Sequence, residues 1–381
     1  MINKKDNKFL LACVGNANDI STFSNVPYYI LKTGIKQNLF DKYSGLDLQP
    51  EKLLYKKIFW NLSRYLKGYR HGGFQYSEFF ARELMSQVDI PNGSSILSLQ
   101  PILPAWPWPN HWSVSLYIDV STRQNFEHYG AKKRLSKQIQ KKALLQEKNA
   151  CLNAKHIICM TNWCANSLIE EHNINPNKIK VVLPGANLDE TKLDLPFNKN
   201  YPKKPSKNDP LRIGFLGKDW IRKGGPFLLE IAKELKKKNI PVLIRVIGPD
   251  HNIVPKESYV NYLGKIDKSK SLYKFVNELR SWHFGSLFSK ADGFGISNFE
   301  CMILGVPVIA NRVGGIPEAF PYPECGKLFE PNRPPEEVAE WIKRYTLDYS
   351  NYLKNRKKLS NLWNEFTWTN SIRKISDILR S

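Results

Sequence analysis

Two α/β domains, each a doubly wound parallel sheet, are predicted for this chain on three observations. Apolar runs of four to six residues alternate with segments of helical spacing, the pattern of parallel strands joined by crossover helices. The 381 residues are enough for two such domains, each with its own core. Near the middle, Leu195–Pro210 is rich in Pro, Lys and Asn and has almost no apolar periodicity, the composition of an exposed linker.

Strands are expected at Phe9–Val14, Ser95–Leu99, Val114–Ile118, His156–Met160 and Lys180–Leu183 before the linker. After it they are expected at Leu211–Leu216, Val242–Ile247 and Val306–Ala310, with a helix over Pro226–Lys238. The six cysteines (Cys13, Cys151, Cys159, Cys164, Cys301 and Cys325) are scattered in or beside apolar runs and read as reduced core residues, not as disulfides or a metal site. The apolar run in MINKKDNKFLLACVG is too short for a signal peptide, and no segment approaches the length of a transmembrane helix. A cytoplasmic protein is expected, either soluble or attached peripherally at the inner membrane face.

The formal charge is +22, and much of it is local. Ala131–Ala150 carries seven basic residues and one acidic one. Glu51–Arg70 carries six and one, mixed with Tyr55, Phe59, Trp60, Tyr65 and Tyr69. Leu54, Ile58, Leu62 and Leu66 recur every four residues, so one face of this helix is apolar and lysines flank it. Two readings stand. The helix docks on its own domain with a solvated basic side, or it lies on an anionic membrane. A basic patch with aromatics is also the footprint of nucleic-acid binding, but no nucleic-acid motif accompanies it and no such partner is expected.

The segment Asp292–Ala310, DGFGISNFECMILGVPVIA, is the most chemically loaded stretch. Gly293-Phe294-Gly295 is a turn where the amides of Phe294, Gly295 and Ile296 can face outward, because glycine accepts conformations that other residues refuse. Asn298–Leu304 has helical spacing, which puts the turn at a helix N-terminus, a site for anions and hydroxyls, with Glu300 near the first turn. Carboxylates, free amides and glycine turns together suit a polyol attached to a phosphate.

This segment resembles the signature of the retaining family 4 glycosyltransferases of GT-B fold (glycosyl transferases group 1). That signature is two acidic residues separated by seven others around Gly-Phe-Gly, followed by Gly-x-Pro-Val. Asp292 and Glu300 hold the acidic places here, where most members have glutamate at both. Gly214–Gly225, GFLGKDWIRKGG, resembles the donor-phosphate loop, with Lys218 in the place of an arginine and Lys223-Gly224 intact. Val181–Glu190 resembles the element closing the first domain, and Phe366–Ile375 the aromatic-led C-terminal helix. The resemblance implies two Rossmann-like domains facing each other across a cleft. Residues 1–200 would form the acceptor side, 201–362 the nucleotide-sugar side, and 363–381 a helix crossing back to the first domain.

The chemistry agrees. A departing nucleoside diphosphate is stabilised by a metal or by fixed cations and dipoles. The chain has no Asp-x-Asp pair, whereas Lys218, Arg222 and Lys223 sit in the loop bounded by Gly217 and Gly224. The resemblance gives Glu300 the ribose hydroxyls and Asp292 the transferred sugar, with a reach one methylene shorter than usual. It puts Gly248 and the Leu263-Gly264-Lys265-Ile266 strand end at the base. Gly15 and Asn16 stand where the family has its glycine loop near acceptor and phosphates. The histidine that usually follows a middle strand is missing, and Asp119 is the nearest polar candidate.

In Pro101–Trp112, Trp106 and Trp108 are candidates for an acceptor platform, or the segment is a packed structural loop. His71-Gly72-Gly73 is a second acceptor loop or a plain turn. The expected function is retaining, metal-independent transfer from a nucleotide-diphosphate sugar, itself the substrate, with no cofactor. The acceptor would be a glycan, a lipid-linked sugar or a small glycoside. The alternative is a non-catalytic GT-B domain binding a nucleotide sugar, glycan or partner protein. A phosphorylase using the same phosphate loop is a further alternative.

Overall fold

The computed structural model describes residues 8–66, 72–100, 108, 111–196 and 201–381. The chain divides into two compact units. The N-terminal unit runs through Leu183 and includes Ser371–Ser381; the C-terminal unit is Pro184–Asn370.

The N-terminal unit is built on the strands β1 (Leu10–Ala12), β4 (Ser95–Leu99), β5 (Ser113–Ile118), β6 (Ile157–Cys159) and β7 (Ile179–Val181). They form one parallel sheet in the order β1-β4-β5-β6-β7, with Leu97 opposite Leu11 and Ser115, and Leu116 opposite Ile157. From β1 the sheet winds one way. On its other edge a parallel bridge from Leu11 to Gly45 continues it. A two-residue antiparallel ladder pairs β2 (Gly15–Asn16) with β3 (Asp47–Leu48). The helices are α1 (Val26–Lys36), α2 (Leu54–Leu66), α3 (Glu78–Met85), α4 (Thr122–His128), α5 (Lys137–Asn153) and α6 (Asn162–His172). Hydroxyl caps fix several starts: Ser121 and Gln124 form a capping box on α4, and Thr161 accepts the Cys164 amide on α6. Ser136 caps α5, so the basic run over 131–150 is a short 3-10 turn, Ala131–Arg134, followed by a break and a helix.

The C-terminal unit holds β8 (Leu211–Leu216), β9 (Val242–Ile247), β10 (Val260–Gly264), β11 (Phe284–Leu287), β12 (Val308–Asn311) and β13 (Gly326–Phe329). All neighbours are parallel, in the order β10-β9-β8-β11-β12-β13. The winding therefore reverses between β8 and β11. Helices α7 (Gly225–Lys237), α8 (Lys268–Arg280), α9 (Ile296–Met302), α10 (Pro335–Leu347) and α11 (Tyr349–Asn361) connect or flank the strands. The core includes Phe215, Trp220, Phe284 and Tyr352. Gly214 in β8 is required by packing, since a Cβ there would stand 1.9 Å from the Trp282 ring.

The last helix, α12 (Trp368–Arg380), is divided between the units. Instead of at residues 200 and 363, the divisions fall at Leu183 and inside α12. The reason is local packing. Gly185 lets the Trp368 backbone approach to where a Cβ would be 2.1 Å away, and Asn187 Oδ1 accepts the Trp368 indole N–H at 2.9 Å. The cysteines described are all free and buried. No helix among the described residues is long and apolar enough to cross a membrane.

Candidate functional site

The donor-side candidates gather at the carboxyl ends of the C-terminal unit's strands. Gly217 follows β8, Gly248 follows β9, Gly264 ends β10 and Asp292 follows β11. In an open parallel sheet, the crevice where winding reverses is where ligands bind. Here that is the β8–β11 boundary, and the loops after those two strands are joined across it by charge. Asp292 Oδ2 stands 3.6 Å from Arg222 Nη1 and 3.7 Å from Lys223 Nζ, ion-pair distances longer than hydrogen bonds.

The loop after β8 is shaped by glycines. Gly217 leaves room for the stem of Lys223, whose Cδ would lie 2.4 Å from a Cβ there. Gly224 has φ +80, and a Cβ on it would meet the Phe288 carbonyl oxygen at 2.1 Å. Arg222 is tied down by its Nη1 donating to the Ala291 carbonyl at 2.7 Å and its Nε donating to Asp219 at 3.2 Å. Lys218 is exposed. Gly248, at φ +110, packs against the Gly217 carbonyl and donates its N–H to Gly264 O at 3.0 Å.

The loop after β11 differs from expectation in two respects. The helix is Ile296–Met302, two residues earlier than Asn298–Leu304, so Glu300 lies in its second turn. The Gly295 amide does not face outward to a ligand: it donates to Asp292 Oδ1 at 3.0 Å, because the short aspartate side chain folds back on its own turn. The Phe294 side chain is core, edge-on to Phe299 at 4.7 Å. Ser297 Oγ and Asn298 Nδ2, beside Ile296, are buried without a hydrogen-bond partner among the described residues. Such atoms in a native structure call for a partner.

Glu300 is buried at 5% exposure, and one carboxylate oxygen is engaged by Lys268 Nζ. Lys268 also donates to the Asn187 carbonyl at 3.2 Å and lies over the Phe275 ring. Sequence reasoning missed Lys268. The available signal was its place at the start of α8, just past the strand end assigned to the base. At that strand end Lys265 is exposed and paired with Asp250 at 2.7 Å, and Ile266 is half-buried.

The N-terminal unit's candidates are described by themselves. Gly15, at φ +101, and Asn16 form β2, and Asn16 Oδ1 accepts the Asn18 amide at 2.8 Å. Asp119 follows β5 and accepts from Gln100 Nε2 at 2.8 Å. Trp108 is buried at 7% in this unit's core, so it is a packing residue and not an open platform. Trp106 and His71 lie outside the described residues. Gly73 packs beneath Ile139 and Leu135.

Comparison with known proteins bears on the fold. A family model described as glycosyl transferases group 1 matches residues 210–348, the part that holds every donor-side candidate. The D-inositol 3-phosphate glycosyltransferase of Corynebacterium kroppenstedtii is 24% identical over 246 residues, 59% of this chain and 53% of the relative. The chain thus spans about half the length of the curated relatives it matches. Among solved structures, S. aureus TarM superposes with a TM-score of 0.58 at 15% identity, over 79% of this chain and 57% of that one. HepE of Anabaena, solved with UDP-glucose, has a TM-score of 0.54 at 15% identity, over 75% and 78%. The fold is that of the GT-B glycosyltransferases.

Proposed function

We propose that the protein is a retaining glycosyltransferase of family 4 type that uses a nucleotide-diphosphate sugar. The observation that carries this is the pairing of Arg222 and Lys223 with Asp292 across the β8–β11 reversal. Two cations held 3.6 and 3.7 Å from one carboxylate are placed to take a diphosphate in its stead. Fixed cations of this kind stabilise the leaving group's developing charge without a divalent metal. Lys218, exposed at the rim of the loop, adds a third positive charge.

In this reading Glu300 keeps one oxygen on Lys268 and offers the other to the ribose hydroxyls, so Lys268 is a positioning residue for that carboxylate. Asp292 orients the transferred sugar once the phosphates have drawn the two cations away. Gly248 and Gly264 keep backbone free of side chains where the base would lie. Support for a uridine donor comes from HepE, solved with UDP-glucose on the same fold. The acceptor is a glycan, a lipid-linked sugar or a small glycoside.

The test is a thermal-shift panel of UDP, GDP, ADP and their sugars, followed by turnover of the binding donor after chelation. One nucleotide series should raise the melting temperature, since ligand held only by the native state stabilises by about 2.7 kcal/mol at a hundred times its Kd. Chelated protein should retain most of its turnover. A protein that binds a nucleotide sugar but never releases its nucleotide would be the non-catalytic alternative. Turnover lost on chelation and restored by magnesium or manganese would overturn the role of the cations.

A further inference from the structure

The helix α2 is turned inside out. Its apolar residues Leu54, Tyr55, Ile58, Phe59, Leu62 and Leu66 are 51–76% exposed, and no residue of the helix is buried. They span an arc of about 140° at 3.6 residues per turn. The opposite stripe, which a solvated helix would give to water, faces the unit instead. Lys56 pairs with Glu83, Trp60 packs edge-on to Phe74 at 6.0 Å, and Arg64 reaches Ser136 Oγ at 3.5 Å. The outward face is therefore not what remains after docking. It is the face the fold holds out.

We infer that this face is a membrane-docking surface for an anionic lipid bilayer. Charge complementarity selects that occupant over a neutral apolar partner. Lys52 and Lys57 are exposed on α2 and its lead-in turn. The Arg64–Ser136 contact brings the start of α5 alongside, with Lys132 and Lys137 exposed. Glu83 is already engaged by Lys56, and Glu51 on the lead-in turn is the single acidic residue of the basic run over 51–70. An apolar band rimmed by lysines lies in the interface plane, with rings and aliphatic side chains at the acyl boundary and ammonium groups among the headgroups. A patch of this kind on a soluble domain marks an interaction site.

The experiment is co-sedimentation of the full chain with phosphatidylglycerol–phosphatidylcholine vesicles and with phosphatidylcholine alone, at low and high salt, alongside sedimentation velocity without lipid. Binding to the anionic vesicles should exceed binding to neutral ones by about tenfold or more at low salt and fall steeply at high salt through screening. The variant Ile58→Ser/Leu62→Ser changes only exposed side chains and should abolish sedimentation with vesicles while keeping the native melting temperature. Lys57→Glu/Lys132→Glu should remove the preference for anionic lipid and leave a weak, salt-independent remainder. Equal recovery in the supernatant with both vesicle types would overturn the assignment. So would a lipid-free dimer that Ile58→Ser/Leu62→Ser dissociates, because the face would then belong to a second copy of the chain.

Discussion

At the scale of single residues, Asp292 and Glu300 are expected to fail differently. Glu300→Ala should weaken nucleotide and nucleotide sugar alike, since the ribose contact proposed for it would be made in every bound state. Asp292→Asn should leave plain nucleotide binding nearly intact and lower turnover, because a contact made mainly in the transition state shows in the rate. Full turnover in Asp292→Asn would place that residue away from the reacting sugar. A second residue-scale expectation concerns His283, which is fully buried: Nδ1 accepts the Arg212 amide at 3.0 Å, and Nε2 is 2.9 Å from the Lys203 carbonyl. Burial holds its pKa down at about 4, against an ordinary 6.5. The unfolded chain therefore takes up the proton first, and stability is lost as pH falls from about 6.5 through about 4, by up to about 3 kcal/mol. Urea midpoints between pH 7 and pH 4.5 should drop less steeply in His283→Gln than in the native protein; equal slopes would dismiss the linkage. Asp292 and Glu300 were legible as a spaced pair within one segment. Lys268 was not, because its partner is 32 positions away and a lysine at a helix start reads as an ordinary solvated side chain.

At the scale of elements, the shape of the proposed phosphate loop depends on Gly224. Gly224→Ala would put a methyl group on a backbone carbonyl, at φ +80, so the loop after β8 must move. A displacement of about 1 Å in catalytic groups costs on the order of a hundredfold in rate. Turnover in Gly224→Ala should fall by that order while the circular dichroism stays native. Gly93→Ala is the control, with φ +74 but nothing within 4 Å of the new methyl, so it carries only backbone strain. If both variants turn over alike, the close approach at Phe288 has no bearing on the site. Strands with strong apolar runs were readable: Ser95–Leu99, Leu211–Leu216 and Val242–Ile247 have the predicted bounds. Phe284–Leu287 was not, since Gly285 and Ser286 break its apolar run, and Gly326–Phe329 is half-exposed at the sheet edge. Periodicity announced that α2 has an apolar face but held nothing about which way it turns. That direction is set by Lys56, Trp60 and Arg64 finding partners on other elements.

At the scale of the whole molecule, the end of the chain belongs to its beginning. Ser371 Oγ donates to the Leu183 carbonyl at 2.7 Å, and Arg380 Nη2 donates to Asn38 O at 3.0 Å. Ile372, Ile375 and Leu379 are at most 1% exposed. Burying three such side chains contributes about 5–9 kcal/mol at the usual 1.5–3 each, comparable with the entire stability of a domain. A chain ending at Asn370 should therefore lose the N-terminal unit's fold. The C-terminal unit keeps its sheet and the Trp368–Asn187 bond, and with them the proposed nucleotide site. Limited proteolysis of this truncation should cut within the first 183 residues and spare Pro184–Asn370. The nucleotide that raises the full chain's melting temperature should still protect the surviving fragment. Protection lost together with the N-terminal unit would mean that the nucleotide site is not contained within Pro184–Asn370. A truncated chain that melts like the native one would mean that the last helix contributes far less than its burial implies.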